Sequence, residues 1–540
     1  MKDAYLRHDG DQRRIPLMGT LGSGRFTRGR ALGIVIAVLV LALGGLTWLS
    51  LGGRAATRPA AASGSLDRIR LPGHIRVCGV AKILGGGPTS APRGAIVVRV
   101  GDNSRVRWTR PGVTYWFAPG LHTLGRGSFT QIQPGPGASF IGAPGAVLDG
   151  QHHNYYAFAG ESPRVTISYL TIENFGTPGS NMNQGVVNHN SARGWTVTHS
   201  TVKDNAGAGV MLGSNNRLTY DCLENNQQYG FNAYSTSGPS HLLLTHNEIA
   251  GNDTWNWEAR DPGCGCTGGG KFWDVNGAIV TDNWIHGNHS EGLWADTDNR
   301  GFNISDNFIA DNYDVGLIYE ISYNAQIVNN VFIRNGVGEG PKNSGFPTSA
   351  IYISESGSDS QVPGPYGHTF AITGNTFINN WGGVILWENS NRFCNSPANT
   401  STGSCTLVSP RRVTLHSCKP SNIARTPYYS ECRWKTQNVS VEHNVFYFSP
   451  ASIGATCVLS QTCGYQGVFS EYGTFPHWSP YRGTSVENHI TFDQDNHFAD
   501  NRYYGPWHFM ALQLGDAVTW NAWLGTPYRQ DAGSTLNTNS

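Results

Sequence analysis

The sequence predicts an all-β solenoid of short parallel strands, preceded by one transmembrane helix. Three observations carry this reading. A unit of 22 to 24 residues recurs through the middle of the chain, each unit holds apolar residues that alternate with period two, and an uncharged run stands near the N-terminus.

The elements follow in order. Residues 1–30 form a basic tail with seven Lys or Arg (Lys2, Arg7, Arg13, Arg14, Arg25, Arg28, Arg30) against three aspartates. Ala31–Gly53 carries no charge and is long enough to cross a bilayer as a helix. The positive-inside rule then leaves the tail in the cytoplasm and everything after the helix outside, so a single-pass cell-membrane protein with an extracellular C-terminal domain is expected. Cleavage within "RAATRPAAASG" would instead release the chain as a secreted protein. Residues 54–75 read as a linker.

The solenoid is expected over 76–505, with inserted loops near 254–268 and 389–438 and a closing segment over 506–540. Its unit is seen by aligning "NEIAGN" from Asn247, "NWIHGN" from Asn283, "NFIADN" from Asn307, "NVFIRN" from Asn330 and "NTFINN" from Asn375. Asn283 to Asn307 is 24 residues and Asn307 to Asn330 is 23, one coil each. Asn247 to Asn283 is 36, a coil plus the loop "TWNWEARDPGCGC". Short alternating strands such as "GLWAD", "GLIYE", "AIYIS" and "GVILW" accompany these segments. A unit this small cannot bury an apolar face alone and must stack on its neighbours, at the strand spacing of about 4.8 Å. The recurrent asparagines then form a ladder within a turn, each side-chain amide bonding to the next coil.

On these repeats, and on "YWFAPGLHTL", "FIGAPGAVLDG" and "VTWNAWLGTPYRQDAGS" near the ends, the chain resembles the right-handed single-stranded parallel β-helices of the pectate-lyase-like superfamily, with PbH1-type repeats, of membrane-anchored actinobacterial type. The resemblance implies fold and leaves reaction open, because this architecture hosts lyases, hydrolases, epimerases, tailspikes and adhesins.

Composition narrows the partners. A formal net charge of +1, with no long basic run, gives no electrostatic reason to expect nucleic acid. Ten cysteines suit an oxidising compartment. Cys394/Cys405, Cys418/Cys432 and Cys457/Cys463 are spaced to staple local loops, while the pairing of Cys78, Cys222, Cys264 and Cys266 stays open.

Chemistry is expected on one face. With Leu293 and Ala295 inward, Trp294, Asp296 and Asp298 point to solvent. One coil on, Glu320 lies beside Asp296; one coil back, Lys271 and Trp273 point outward around an inward Phe272. Glu355 and Glu388 continue the file, bordered by Trp273, Trp294 and Trp387 as platforms for sugar rings. Carboxylates one coil apart stand roughly 5 Å from each other, so one is pushed toward its acid form or both hold a cation. Two enzymes fit. A glycoside hydrolase would use Asp296 and Glu320 as its acid/base and nucleophile pair. A polysaccharide lyase would use Lys271 as base, with calcium on Asp296, Asp298 and Glu320 neutralising a uronate. A glycan-binding wall protein, or a merely solubilising charged face, is the alternative. Glu258, Asp261, Trp255 and Trp257 sit on the loop expected to overhang this groove. The pair His286 and His289 lacks an evident third metal ligand.

Overall fold

The computed structural model describes residues 76–538 apart from 180–184, 263, 344, 363, 366 and 399–412. The basic tail, the apolar run and the linker therefore lie outside the described residues. Within them, no helix is long and apolar enough to cross a membrane.

Two sheets of 13 and 14 strands run the length of the body, and a third of 10 strands begins at Val210–Leu212, from where successive turns of the chain add one strand to each. One coil consists of Arg300–Ser305 in the first sheet, Phe308–Ala310 in the second and Leu317–Glu320 in the third. Among the described strands the pairings between coils are parallel, and the closing pair, His508–Gln513 with Ala517–Val518, is antiparallel. Stacking in register follows from the alternation. Inward residues such as Phe272, Leu293, Ala295, Leu317 and Tyr319 join one core that runs from Val98 to Trp523. The stack begins at Ile96–Val98 and continues past residue 505, since Thr535–Asn537 adds the last strand of the second sheet. The closing segment is thus part of the solenoid.

Two asparagine ladders hold the turns at the two ends of the second sheet, one where the chain enters it from the first sheet and one where it leaves for the third. In the first, the Nδ2 of Asn283 donates to Asn307 Oδ1 at 2.9 Å, and Asn307 to Asn330 Oδ1 at 2.9 Å. In the second, Asn288, Asn312 and Asn335 repeat the bond at 2.9 Å. Each Asn also accepts a backbone N–H from the preceding coil, so the buried turn leaves few orphaned groups.

Ahead of the first strand, residues 76–95 are strapped to the body. Glu248 Oε2 accepts from the N–H groups of Val77 and Cys78 at 2.7 Å each, and Cys78 is disulfide-bonded to Cys222. Cys264 pairs with Cys266, and the expected Cys418–Cys432 and Cys457–Cys463 bridges are present. Cys394 is disulfide-bonded as well, while Cys405 lies outside the described residues.

Candidate functional site

The third sheet carries the residues singled out from the sequence. Its register sets Trp273 beside Asp296 and Asp296 beside Glu320, as the coil length requires. The column then departs from expectation. Ser354 and Trp387 occupy the next two rungs, and Glu355 and Glu388 come one residue later, where Glu355 takes a left-handed backbone with φ 45°. Lys271 pairs with Trp294, one column to the side.

The outward residues are not solvent-facing. Trp294 and Asp296 point away from the lumen, yet they are 0% and 1% exposed, because inserted loops lie over the sheet. Gly265, between the bridged Cys264 and Cys266, sits so close that a Cβ there would meet Lys271 Nζ at 3.1 Å and Trp294 Cη2 at 3.2 Å. Trp294 and Trp387 belong to an outer apolar layer with Phe346, Tyr352 and Phe469. Of the three tryptophans, only Trp273 is partly exposed.

Beneath this cover the charges pair. Lys271 Nζ reaches Asp296 Oδ2 at 2.9 Å, donates to Gly265 O at 2.7 Å, and lies 3.8 Å from the centre of the Trp294 ring. Thr297 Oγ1 donates to the other Asp296 oxygen at 2.8 Å. Arg392, from the long insertion, donates to Glu320 Oε1 at 2.5 Å and Glu355 Oε2 at 2.7 Å. Two buried acids therefore share one guanidinium. Burial raises the Glu320 carboxyl above the usual range, and Asp296 and Glu355 add to this against the pull of Arg392. Glu355 is raised by the same burial. Glu388 is bound within the insertion, with Arg433 Nη1 at 2.9 Å and Gln494 Nε2 at 2.8 Å.

A second acidic pair, which the sequence reading missed, flanks the same loop. Glu291 is raised to about 8 by burial and by Asp314, and Asp314 to about 7 by burial and Glu339. Both residues immediately precede strands of the site sheet, and Glu291 lies under Gly268 of the loop. Glu258 accepts from Gly265 N–H at 3.4 Å, so it shapes the loop that covers Lys271. Trp257 packs with Tyr229 and Cys266, and Arg260 lies over Trp255 at 4.3 Å. Asp261 only ends the short helix Trp257–Arg260. The two histidines diverge: His286 turns to Glu248 Oε1 at 3.1 Å, whereas His289 is exposed.

Calcium fits the proposed triad poorly. Asp296 has both oxygens engaged, by Lys271 and Thr297, and Glu320 has Oε1 engaged by Arg392. Asp298 stands apart beside Asp274 and Arg300; it is raised to about 7 by burial first and Asp274 second. Among the described residues the ligand oxygens of these three do not converge on one point, as a calcium cage needs.

Residues 184–364 match a family model described as a right-handed beta helix region. The chain is a right-handed parallel β-helix. No curated protein matches it by sequence. Among solved structures it is similar to the A-module of the Azotobacter vinelandii mannuronan C-5 epimerase AlgE4, at 15% identity and a TM-score of 0.38, over 65% of this chain and 85% of that one. A PL6 alginate lyase in complex with a trisaccharide shares 10% identity over 83% of this chain and 86% of its own, with a TM-score of 0.29. The catalytic domain of a GH87 α-1,3-glucanase shares 12% over 51% and 59%, with a TM-score of 0.29.

Proposed function

We propose that this β-helix acts on polysaccharide outside the cytoplasm, by glycoside hydrolysis at Asp296 and Glu320, held to the membrane by the apolar run 31–53. The observation that carries the reading is the sharing of one cation, Arg392, by Glu320 and Glu355 directly beside Asp296. Burying this many ions is costly and contributes little to stability compared with an apolar filling, so a tuned site is the better account.

The roles follow from the partners. Glu320, pushed up by burial and by two acidic neighbours, is suited to donate a proton to the glycosidic oxygen. Asp296, ion-paired to Lys271 one rung away, is the carboxylate that attacks or steadies the sugar cation. Adjacent rungs set the two backbones about 5 Å apart, so both side chains can reach one glycosidic bond. Lys271 is a donor in both its polar contacts, the opposite of what a β-elimination base requires, and this favours hydrolysis over lyase chemistry. The disulfides support an oxidising compartment. Substrate must displace the loops around Gly265 and Arg392 to enter.

That covering supports one other reading, a glycan-binding protein that performs no chemistry. The test is turnover on a panel of neutral, amino and uronate polysaccharides, read by reducing ends and by absorbance at 235 nm, with calcium and with chelator. Hydrolysis predicts new reducing ends without absorbance. Asp296→Asn and Glu320→Gln are each expected to lower kcat by about 10² or more. Absorbance at 235 nm would move the chemistry to elimination and Lys271. Glycan binding that survives both substitutions, without turnover of any polymer, would leave the non-catalytic reading.

A further inference from the structure

We infer that this site takes its glycan by a chain end, the rest of the polymer lying back over Trp273 and Tyr234. This mode rests on the reading of the third sheet as a polysaccharide site and adds which part of the polymer is taken.

One column of outward residues carries the assignment. Asp296 follows Trp273 by one rung and precedes Glu320, after which come Ser354, Trp387 and Phe469. Ahead of Trp273 the register pairs Ala233 with Phe272, which sets Tyr234, the next residue, beside Trp273. Exposure falls along this column. Tyr234 is 37% exposed and Trp273 is partly exposed, whereas Asp296 is all but covered and Ser354 and Phe469 are fully buried. The column is open at its Tyr234 end and closed from Asp296 onward.

The two ends have different chemistry. Tyr234 and Trp273 bring two aromatic side chains toward solvent on consecutive rungs, with backbones about 4.8 Å apart, and flat apolar rings at that spacing suit successive sugars of one chain. Lys271 joins this platform to the acid pair. Its Nζ lies 5.5 Å from the centre of the Trp273 ring, 3.8 Å from that of Trp294 and 2.9 Å from Asp296 Oδ2, so a sugar on Trp273 is next to the reacting carboxylates. Past Glu320 the wall is apolar and packed. Phe346 meets the rings of Tyr352, Trp387 and Phe469 at 5.8, 5.3 and 5.6 Å between centres. A chain end enters once the loops at Gly265 and Arg392 have moved. A polymer running on past Glu320 would in addition have to lift Phe346 from three rings and open the apolar layer behind it to water, which makes entry by an end the cheaper course.

The experiment uses the full chain in detergent with soluble polymers of graded length: a neutral glucan, a glucosamine polymer, its N-acetylated counterpart and polygalacturonate. On those that are turned over, reducing ends and viscosity are followed together and the products are sized. Attack at an end should release one-sugar and two-sugar products while viscosity stays near its starting value. An early collapse of viscosity with products of many lengths overturns the inference and leaves polysaccharide hydrolysis standing. Trp273→Ala is expected to raise KM about threefold to tenfold and Tyr234→Ala by less, each with a smaller change in kcat, and Trp273→Phe should recover most of the loss. Unchanged KM in both alanine variants overturns the platform. Turnover of none of the polymers overturns hydrolysis. Binding isotherms then decide the mode alone: protein bound per chain that stays constant as the polymer lengthens upholds capture of an end, and binding in proportion to length, or none, sinks it.

Discussion

The ladder turns and the outer face of the third sheet both bury polar groups, and they satisfy them in opposite ways. In the ladder, Asn307 is answered by Asn283 on one side and Asn330 on the other, the same residue at one coil's distance. On the outer face, Glu320 is answered by Arg392, 72 residues later and outside the repeat. The first arrangement is periodic and neutral. The second is aperiodic and charged, and its cation comes from outside the repeat. A repeat can therefore carry its own scaffold, while its site has to be assembled from insertions.

The largest effect should come from cutting the charged region. Arg392→Met leaves Glu320 and Glu355 buried without a cation, and about 3–5 kcal/mol of stability is expected to be lost in denaturant unfolding. Part of this should return in Arg392→Met combined with Glu355→Gln, because one of the two stranded acids is then neutral. A loss under 1 kcal/mol would mean the strap is not held by this pair. The ladder should respond less. Asn307→Ala strips the acceptor from Asn283 and the donor from Val280 O and Asn330, and about 2–3 kcal/mol is expected. Neighbouring rungs keep their own bonds, so the damage should stay local.

These two substitutions also mark how far the sequence could be read. The coil length, the inward Phe272, Leu293 and Ala295, the asparagine ladder and the Asp296–Glu320 register were all legible, because each depends on a spacing that recurs. Glu355 and Glu388 were misplaced by one residue, since left-handed backbone at Glu355 breaks the alternation that the register argument assumes. The burial of Trp294 was invisible for another reason: period two gives the direction of a side chain relative to the lumen and says nothing about what an insertion lays over it. Arg392 had no signal at all, being one basic residue in a long loop without periodicity. Glu291 and Asp314 did have one, an acid just before "GLWAD" and another two residues before "GLIYE", but the strand alternation that orients Asp296 and Glu320 does not extend to residues ahead of the strands.

Titration should separate the regions without mutation. Glu291 and Asp314 have folded values of about 8 and 7, above their ordinary range, so the folded state binds protons the unfolded chain has released. Their contribution is fully present below about pH 4 and is lost as pH rises through 7 and 8. The melting temperature is therefore expected to fall between pH 6 and pH 9, and Glu291→Gln should flatten that fall. The Asn ladder has no titrating group and contributes nothing to this slope. An unchanged slope in Glu291→Gln would remove the acid pair as its source.

The smallest effect belongs to a charge pair that the comparison assigns to neither class. Arg334 and Asp311 meet through two bonds of 2.6 Å on the second sheet, one coil apart, so their spacing is as periodic as the ladder's. Their geometry is better than that of Lys271 and Asp296, yet their side chains are 53% and 46% exposed. If geometry governed, Arg334→Ala would be costly; if burial governs, it should cost less than about 1 kcal/mol and less again in high salt. We expect the latter. Water already satisfies both groups when they part, whereas Arg392 is the cation that Glu320 and Glu355 share beneath the insertion. A double-mutant cycle on Arg334 and Asp311 that returned the energy expected of Arg392 would show that the distinction between the two regions lies in pairing geometry and not in the cover laid over the site.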